Sequence, residues 1–279
     1  MFKCDLHTHS INSDGRYSPS EIIKMAKEKN LDYISLTDHD TVSGIEAAML
    51  EAKKLNVNFI PGIELSTEFN GESIHVLGYF NNNYYNNIEL IKILDEFKEK
   101  RISRAYKIVE NLEKFHNIKI NINNVLSNGK DTIARPHIAK AIIDAGYDYT
   151  HEYIFNNFIG NNCPAYIPST KLSTKEGIEL LKKFNALVFL AHPILVKKNS
   201  LENLLDLGFH GIEAIYYQNT ESDTKYLLNL AKEKNLFISC GSDCHGIPND
   251  SSHGNIGDVL IPNNEDILPM LNWLKAITN

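Results

Sequence analysis

Two histidines and two aspartates fall within the stretch CDLHTHSINSDG at positions 4–15. In an extended strand, side chains two apart share a face, so His7 and His9 should project together with Asp5 behind them. A pair of neutral imidazoles makes a poor core and a good start to a metal site. Asp14, just past the expected strand end, can bring a carboxylate to the same place. Further along, Asp38 and His39, Glu64, His75, His192, and Asp243 with His245 each stand at or just after the expected C-terminal end of a strand. Six of the eleven histidines share that placement, which core packing does not require. Imidazole with carboxylate suits manganese, iron or zinc, and the absence of clustered thiolates argues against a structural zinc site. Nine candidate ligands (His7, His9, Asp14, His39, Glu64, His75, His192, Asp243 and His245) exceed what one ion can use. Two or three divalent ions sharing a carboxylate are therefore expected, manganese first, as in metal-assisted phosphoester hydrolysis.

The elements that must position these residues alternate along most of the chain. SPSE at 18–21 reads as a capping box with proline at the first helical position, and Ile22, Ile23, Met25 and Ala26 supply the apolar face that follows. LDYISLTDHD is a short buried strand, SGIE at 43–46 a second capping box, and VNFIPGIEL and SIHVLGYF two further strands separated by the turn residues NGE. Alternation stops between about 84 and 168, where the pattern is mostly helical: one long amphipathic segment over 86–116, another from about Ala134, a third over 150–158. It resumes with a capping box at STKE 173–176, then ALVFLAHP, GIEAIYY and LFISCGSDCH with helices between them. Strands separated by helices indicate parallel βαβ units, and sites in such folds assemble where the βα loops converge.

The length admits one large α/β domain or two small ones. No apolar run is long enough to span a bilayer, and the opening residues enter a strand with no room for a signal peptide. The four cysteines show no CxxC pair, consistent with reduced thiols in the cytoplasm. A net charge of −7 argues against broad electrostatic binding to nucleic acid. An acidic protein that handles phosphates must concentrate positive charge locally, which metal ions do well.

In order, the stretches DLHTHSINSDG, SLTDHDTVSG, PGIELS, HVLGY, ARPHIA, LAHP and GSDCHG resemble the PHP (polymerase and histidinol phosphatase) superfamily over nearly the whole chain. ARPHIA and the later PAYIP are similar to the branch of 3′,5′-nucleoside bisphosphate phosphatases and 5′-3′ exoribonucleases. The resemblance implies a distorted, seven-stranded TIM-like β/α barrel, here residues 1–97 and 166–279, with an inserted helical cap over 98–165. It also implies a trinuclear centre. His7, His9, Glu64 and Asp243 match the ligands of one ion, Asp14, His39 and His245 those of a second, and His75, His192 and a bridging Glu64 those of a third.

By the same resemblance Arg135 is a phosphate contact, in keeping with the bidentate grip of a guanidinium. His137 could orient substrate or cap its helix; Arg101 and Arg104 lie three apart on one helix face and could line the pocket. Ser242 is a further candidate phosphate contact. Asp5 and Asp38 are expected to fix imidazole tautomers, with Asp40 either joining them or capping the next helix. His116, His151, His210 and His253 read as ordinary polar residues. After SDCHG the family often continues through a Lys-Pro pair, whereas IPNDSSHGNIG contains no lysine; His253 is a conceivable replacement.

The expected reaction is hydrolysis of a nucleotide phosphoester, a 3′,5′-bisphosphate or a short RNA 5′ end, by a metal-activated water. No serine or cysteine nucleophile motif and no P-loop is present. The alternatives are a histidinol-phosphate phosphatase and a non-catalytic PHP module. No membrane association or obligate protein partner is expected.

Overall fold

A computed structural model describes residues 2–129, 133–168, 171–248 and 250–276. Its chain divides into two units, one of residues 1–91 with 172–279, the other of residues 92–171.

The first unit is built on β1 (Cys4–Asp5), β2 (Tyr33–Leu36), β3 (Phe59–Phe69), β4 (Glu72–Phe80), β5 (Leu172–Ser173), β6 (Ala186–Leu190), β7 (Gly211–Tyr216) and β8 (Phe237–Gly241). Seven of them neighbour one another in the order β1-β2-β3-β4-β6-β7-β8, and β5 pairs with the outer part of β3. The two edges meet. Leu6 donates its N–H to Cys240 O at 2.9 Å, Asp243 donates to His7 O at 2.9 Å and His9 to Cys244 O at 2.9 Å. The sheet is thus a nearly closed, seven-stranded barrel-like α/β structure, with no described helix long and apolar enough to cross a membrane.

One strand is reversed. β4 runs antiparallel to both β3 and β6, whereas the strands separated by helices were expected to form parallel units. The cause is local: Phe69 pairs with Glu72 across Asn70-Gly71, whose φ values of 47° and 77° are those of the two-residue hairpin turn that Asn-Gly favours. His75 consequently lies near the start of β4 and not at its C-terminal end. Reversal nevertheless carries it to the rim where the other strands finish, with Ser66 of β3 as its pairing partner.

Helices α1 (Pro19–Glu28) and α2 (Ile45–Leu55) cover β2 with Ile22, Ile23, Ala26, Ala48 and Ala52, packed on Ile34 and Leu36. The Ser18–Glu21 capping box forms as the sequence indicated. SGIE does not: α2 is preceded by Gly44 with no side-chain cap, and Ser43 Oγ instead accepts from Asn12 Nδ2 at 2.8 Å. Helix α7 (Thr174–Lys183) opens on the Ser173–Glu176 box.

The second unit comprises most of α3 (Ile88–His116), then α4 (Ile122–Gly129), α5 (Arg135–Asp144) and α6 (His151–Ile154), which continues into a π turn over Phe155–Ile159. It has its own core of Ile108, Leu112, Val125, Ile138, Ile142, Ile154 and Ile159. The α4 helix has no counterpart among the sequence expectations, because INNVLSNG is rich in asparagine and buries only Val125 fully. In the first unit α7 (Thr174–Lys183), α8 (Leu201–Leu205), α9 (Glu221–Glu233) and α10 (Leu268–Ala276) complete the chain.

Tyr79 of β4 crosses the barrel interior and donates its hydroxyl to Leu6 O at 3.0 Å, with both residues fully buried. Tyr79→Phe leaves that carbonyl short of a donor and should lower the unfolding free energy by about 1–2 kcal/mol, read as a lower urea midpoint at unchanged slope.

Candidate metal centre

Glu64 lies in the middle of β3 and is 1% exposed. Its Oε2 stands 3.1 Å from His7 Nε2, 3.2 Å from His9 Nε2 and 3.1 Å from His39 Nδ1. Its Oε1 stands 2.9 Å from His75 Nδ1 and 3.0 Å from His192 Nε2. One carboxylate therefore meets five imidazoles, three on one oxygen and two on the other. Asp243 Oδ1 lies 3.0 Å from His9 Nε2 and 3.3 Å from His7 Nε2. Asp14 Oδ1 lies 3.3 Å from His245 Nε2, and its Oδ2 lies 3.8 Å from His39 Nε2. All nine sequence-selected residues are brought together.

The chain is bent to present them. His192 and Asp243 have φ of 28° and 57°, a left-handed conformation that non-glycine residues adopt at a cost and that clusters at functional sites. Gly241 makes room at the end of β8: a Cβ there would sit 2.2 Å from His7 Cβ and 2.6 Å from Glu213 Oε1.

The residues behind the ligands differ from the expected ones. Asp5 accepts backbone N–H groups from Ser242 at 3.0 Å and Gly257 at 2.9 Å, tying β8 and the following loop to β1. Asp38 accepts from Ser10 N at 2.6 Å, Ser10 Oγ at 2.7 Å and Ser13 Oγ at 2.6 Å, fixing the turn between His9 and Asp14. Asp40 holds Ser66, accepting from its N–H at 2.7 Å and its hydroxyl at 2.8 Å. The carboxylate that does orient an imidazole is Glu213, which sequence reading passed over. Its Oε1 is 3.0 Å from His7 Nδ1, and its Oε2 accepts the His192 N–H at 2.7 Å. The available signal was a glutamate inside the otherwise apolar strand GIEAIY. A register shift between Glu213 and Ile215 accompanies it, and bulges of this kind re-aim side chains. Tyr216, at the end of the same strand, donates its hydroxyl to Asp243 Oδ2 at 3.2 Å.

Charge balance defines what the cluster needs. Burial alone would lower the pKa of His7, yet Glu213, Glu64 and Asp243 raise it well above the ordinary imidazole value. Burial likewise opposes protonation of His9, but Asp243 and Glu64 lift it to about 10. Burial raises Glu64, and the neighbouring His39, His7 and His75 pull it far lower. His39 instead follows its burial, falling to about 4. Asp14, Glu64, Glu213 and Asp243 together place four carboxylates around imidazoles that are ordinarily neutral, so protons or cations must supply the positive charge. Seven buried atoms here have no hydrogen-bond partner: His7 Nε2, His9 Nδ1 and Nε2, Asp14 Oδ1, His39 Nδ1, Glu64 Oε2 and Asp243 Oδ1. Orphaned lone-pair atoms converging at this density fit divalent cations. The atoms gather as His7, His9, Glu64 and Asp243; as His9, Asp14, His39 and His245; and as His39, Glu64 and His75. His192 joins His75 through Glu64 Oε1.

Within the helical unit, Arg135 opens α5 and donates to Ile159 O at 3.3 Å and Asn161 Oδ1 at 3.1 Å, its guanidinium lying 5.6 Å from the Phe155 ring and 5.4 Å from that of Tyr166. Arg104 donates to Ile167 O at 2.8 Å, and its pKa is lowered by burial first and then by the nearby Arg135 and Arg101. His137 caps the helix, its Nδ1 accepting from Ala134 N at 3.0 Å. Ser242, in the barrel unit, is fully buried. Of the histidines read as ordinary, His253 departs from that reading: its ring centroid lies 4.2 Å from that of His245.

A barrel-like α/β fold whose strand ends gather imidazoles and carboxylates around two shared carboxylate groups defines a metal-dependent hydrolase architecture. The PHP domain family matches residues 5–158, and the chain belongs to it. It is 29% identical over 253 residues to a 5′-3′ exoribonuclease of Haemophilus influenzae, covering 87% of this chain and 90% of that protein. It is 26% identical over 258 residues to a 3′,5′-nucleoside bisphosphate phosphatase of Chromobacterium violaceum, covering 88% of each. A solved structure from Bifidobacterium adolescentis, assigned as a metal-dependent phosphoesterase, superposes with a TM-score of 0.72 at 26% identity, over 92% of this chain and 93% of that one.

Glu64→Gln, nearly isosteric, removes the charge shared by five imidazoles and should lower bound-metal content, measured on purified protein, more than His75→Asn, which deletes one imidazole. Glu213→Gln should weaken metal affinity roughly 10–100-fold, the usual effect of losing a carboxylate behind a metal-binding imidazole, with the far-ultraviolet spectrum of both glutamine variants unchanged.

Proposed function

We propose that this PHP-family phosphoester hydrolase acts on nucleotides, hydrolysing phosphoesters of 3′,5′-nucleoside bisphosphates and of short RNA 5′ ends. The observation that carries the reading is the convergence of Glu64 and Asp243 on six imidazoles from five separate stretches of chain, a donor set for two or three divalent ions. Manganese suits those donors, with iron or zinc as alternatives. Bound there, the ions would neutralise phosphate charge and acidify a water toward neutrality.

The protein's own groups prepare that chemistry. Glu213 holds the His7 ring so that Nε2 faces inward, and its second oxygen fixes the His192 backbone. Asp38 locks the turn that presents Asp14. The Tyr216 hydroxyl holds one oxygen of Asp243 and leaves the other for the cluster. In the helical unit, which we read as the cap, Arg135 is the proposed phosphate contact, with Arg101 and Arg104 adding positive potential beside it. The ring faces of Phe155 and Tyr166 that flank Arg135 pre-orient its guanidinium. His137 supports this from the first turn of the same helix. Ser242 acts through the backbone N–H it gives Asp5. A cytoplasmic setting fits the free cysteines.

The deciding assay offers adenosine 3′,5′-bisphosphate, AMP, a short 5′-phosphorylated RNA and histidinol phosphate, each with and without added Mn²⁺. Metal-dependent release of phosphate from the bisphosphate, or of nucleotides from the RNA, is expected. Turnover of histidinol phosphate alone, or of nothing, overturns the reading. Arg135→Ala should cost about 1–3 kcal/mol in kcat/KM, the scale of a lost charge-assisted contact; unchanged kinetics on every substrate would remove Arg135 from the site.

A further inference from the structure

Asp243 divides its two oxygens much as Glu64 does. Oδ1 faces His9 and His7, while Oδ2 faces away from them, toward the Tyr216 hydroxyl and His253 Nε2 at 3.9 Å. His253 lies in the segment IPNDSSHGNIG, and nothing in its own turn requires an imidazole aimed at a buried carboxylate. Asp250 fixes that aim: its Oδ2 lies 2.5 Å from His253 Nδ1. With Nδ1 tied to Asp250, Nε2 is the ring nitrogen left facing Asp243.

The same arrangement occurs at two residues of the cluster. His7 has Nδ1 on Glu213 and Nε2 inward; His245 has Nδ1 on Asp243 O at 2.8 Å and Nε2 toward Asp14. An imidazole whose far nitrogen is tied to an acceptor is the usual form of a metal-ligating histidine. Asp243, His245 and His253 each offer a ligand atom within 4.8 Å of the others. Beside them opens a cavity of about 330 Å³ lined in part by Tyr17, Gly246, Asp250 and Asn255, with room for the waters or substrate oxygens that an incompletely ligated ion would carry.

We propose that His253 is a further metal-ligating residue of this chain, forming with Asp243 Oδ2 an open, weakly held cation position at the edge of the centre next to His245. Asp250 is its positioning residue. The proposal rests on reading the cluster as a metal centre and adds to it a residue outside the nine already assigned. With few protein ligands, this position should be the last to fill and the first to empty.

Cobalt(II) tests it without any turnover assay. The full chain, stripped with chelator, is titrated with Co²⁺ while bound metal is counted by equilibrium dialysis and its ligand field read in the visible spectrum. In His253→Ala the weakest binding step should weaken tenfold or more and the late-filling spectral component should change, with the earlier steps unaltered. Asp250→Asn should reproduce part of the loss, and His253→Asp, which puts a carboxylate ligand in place of the imidazole, should recover part of the binding. Wild-type protein that binds no Co²⁺ would overturn the metal-centre reading and this proposal with it. Wild-type binding that both His253→Ala and Asp250→Asn match in stoichiometry, affinity and spectrum would overturn this proposal alone.

Discussion

A carboxylate buried to 1% exposure is tolerable only if its charge is met, and Glu64 is met by imidazoles alone. That requirement organises the barrel. The five histidines around it come from the ends of β1, β2 and β6 and from the start of β4, so the strands must finish at one rim within a few ångströms of one another. No local element could supply such a set. A helix offers side chains at i and i+4, and a single strand offers alternate positions; only sheet closure brings residues 7, 39, 75 and 192 together.

The irregularities of the sheet follow from the same need. A regular parallel strand in the place of β4 would have delivered His75 to the opposite end; the Asn-Gly hairpin reverses it. β3 extends well past Glu64, and its outer half pairs with β4 and β5 to form a wall beyond the rim. The left-handed residues His192 and Asp243 turn the chain sharply where a longer loop would have let the side chains wander. Hydrogen bonds hold these turns: Asp38 on the 10–13 turn, Asp5 on the loop after β8, Asp40 on Ser66. The aspartates that looked like partners of imidazoles are partners of backbone. Their work is to keep loops rigid at a mixed-charge centre, where a small displacement would alter every neighbouring distance.

The ligand candidates were legible because histidine at strand ends is chemically conspicuous and because strand ends can be read from apolar runs of four to six residues. The order of elements followed from helix caps at Ser18 and Ser173, whose glutamates reach back as the spacing implies. What could not be read was direction and depth. NGE marks a turn but does not state that His75 will face the same rim as His7. Glu213 stands out as a single acid in GIEAIY, but its role depends on a partner 206 positions away. SGIE failed as a cap because Ser43 was claimed by Asn12, a contact the local sequence cannot contain. His253 was undervalued for the same reason: its significance depends on Asp243 and Asp250 together.

The two units differ in where positive charge can come from. A net charge of −7 argues against broad electrostatic attraction of a polyanion. The barrel gathers carboxylates and neutral bases, so its positive charge must be bound rather than built in. The helical unit carries built-in charge: Arg101, Arg104 and Arg135 stand close enough that Arg135 and Arg101 both lower the pKa of Arg104, beyond what burial does. Backbone carbonyls hold two of them in place, that of Ile167 accepting from Arg104 and that of Ile159 from Arg135, so the fold of the helical unit keeps these guanidiniums close despite their repulsion. An anion placed among them would relieve that repulsion and collect several donors at once, just as cations would relieve the crowded carboxylates of the barrel.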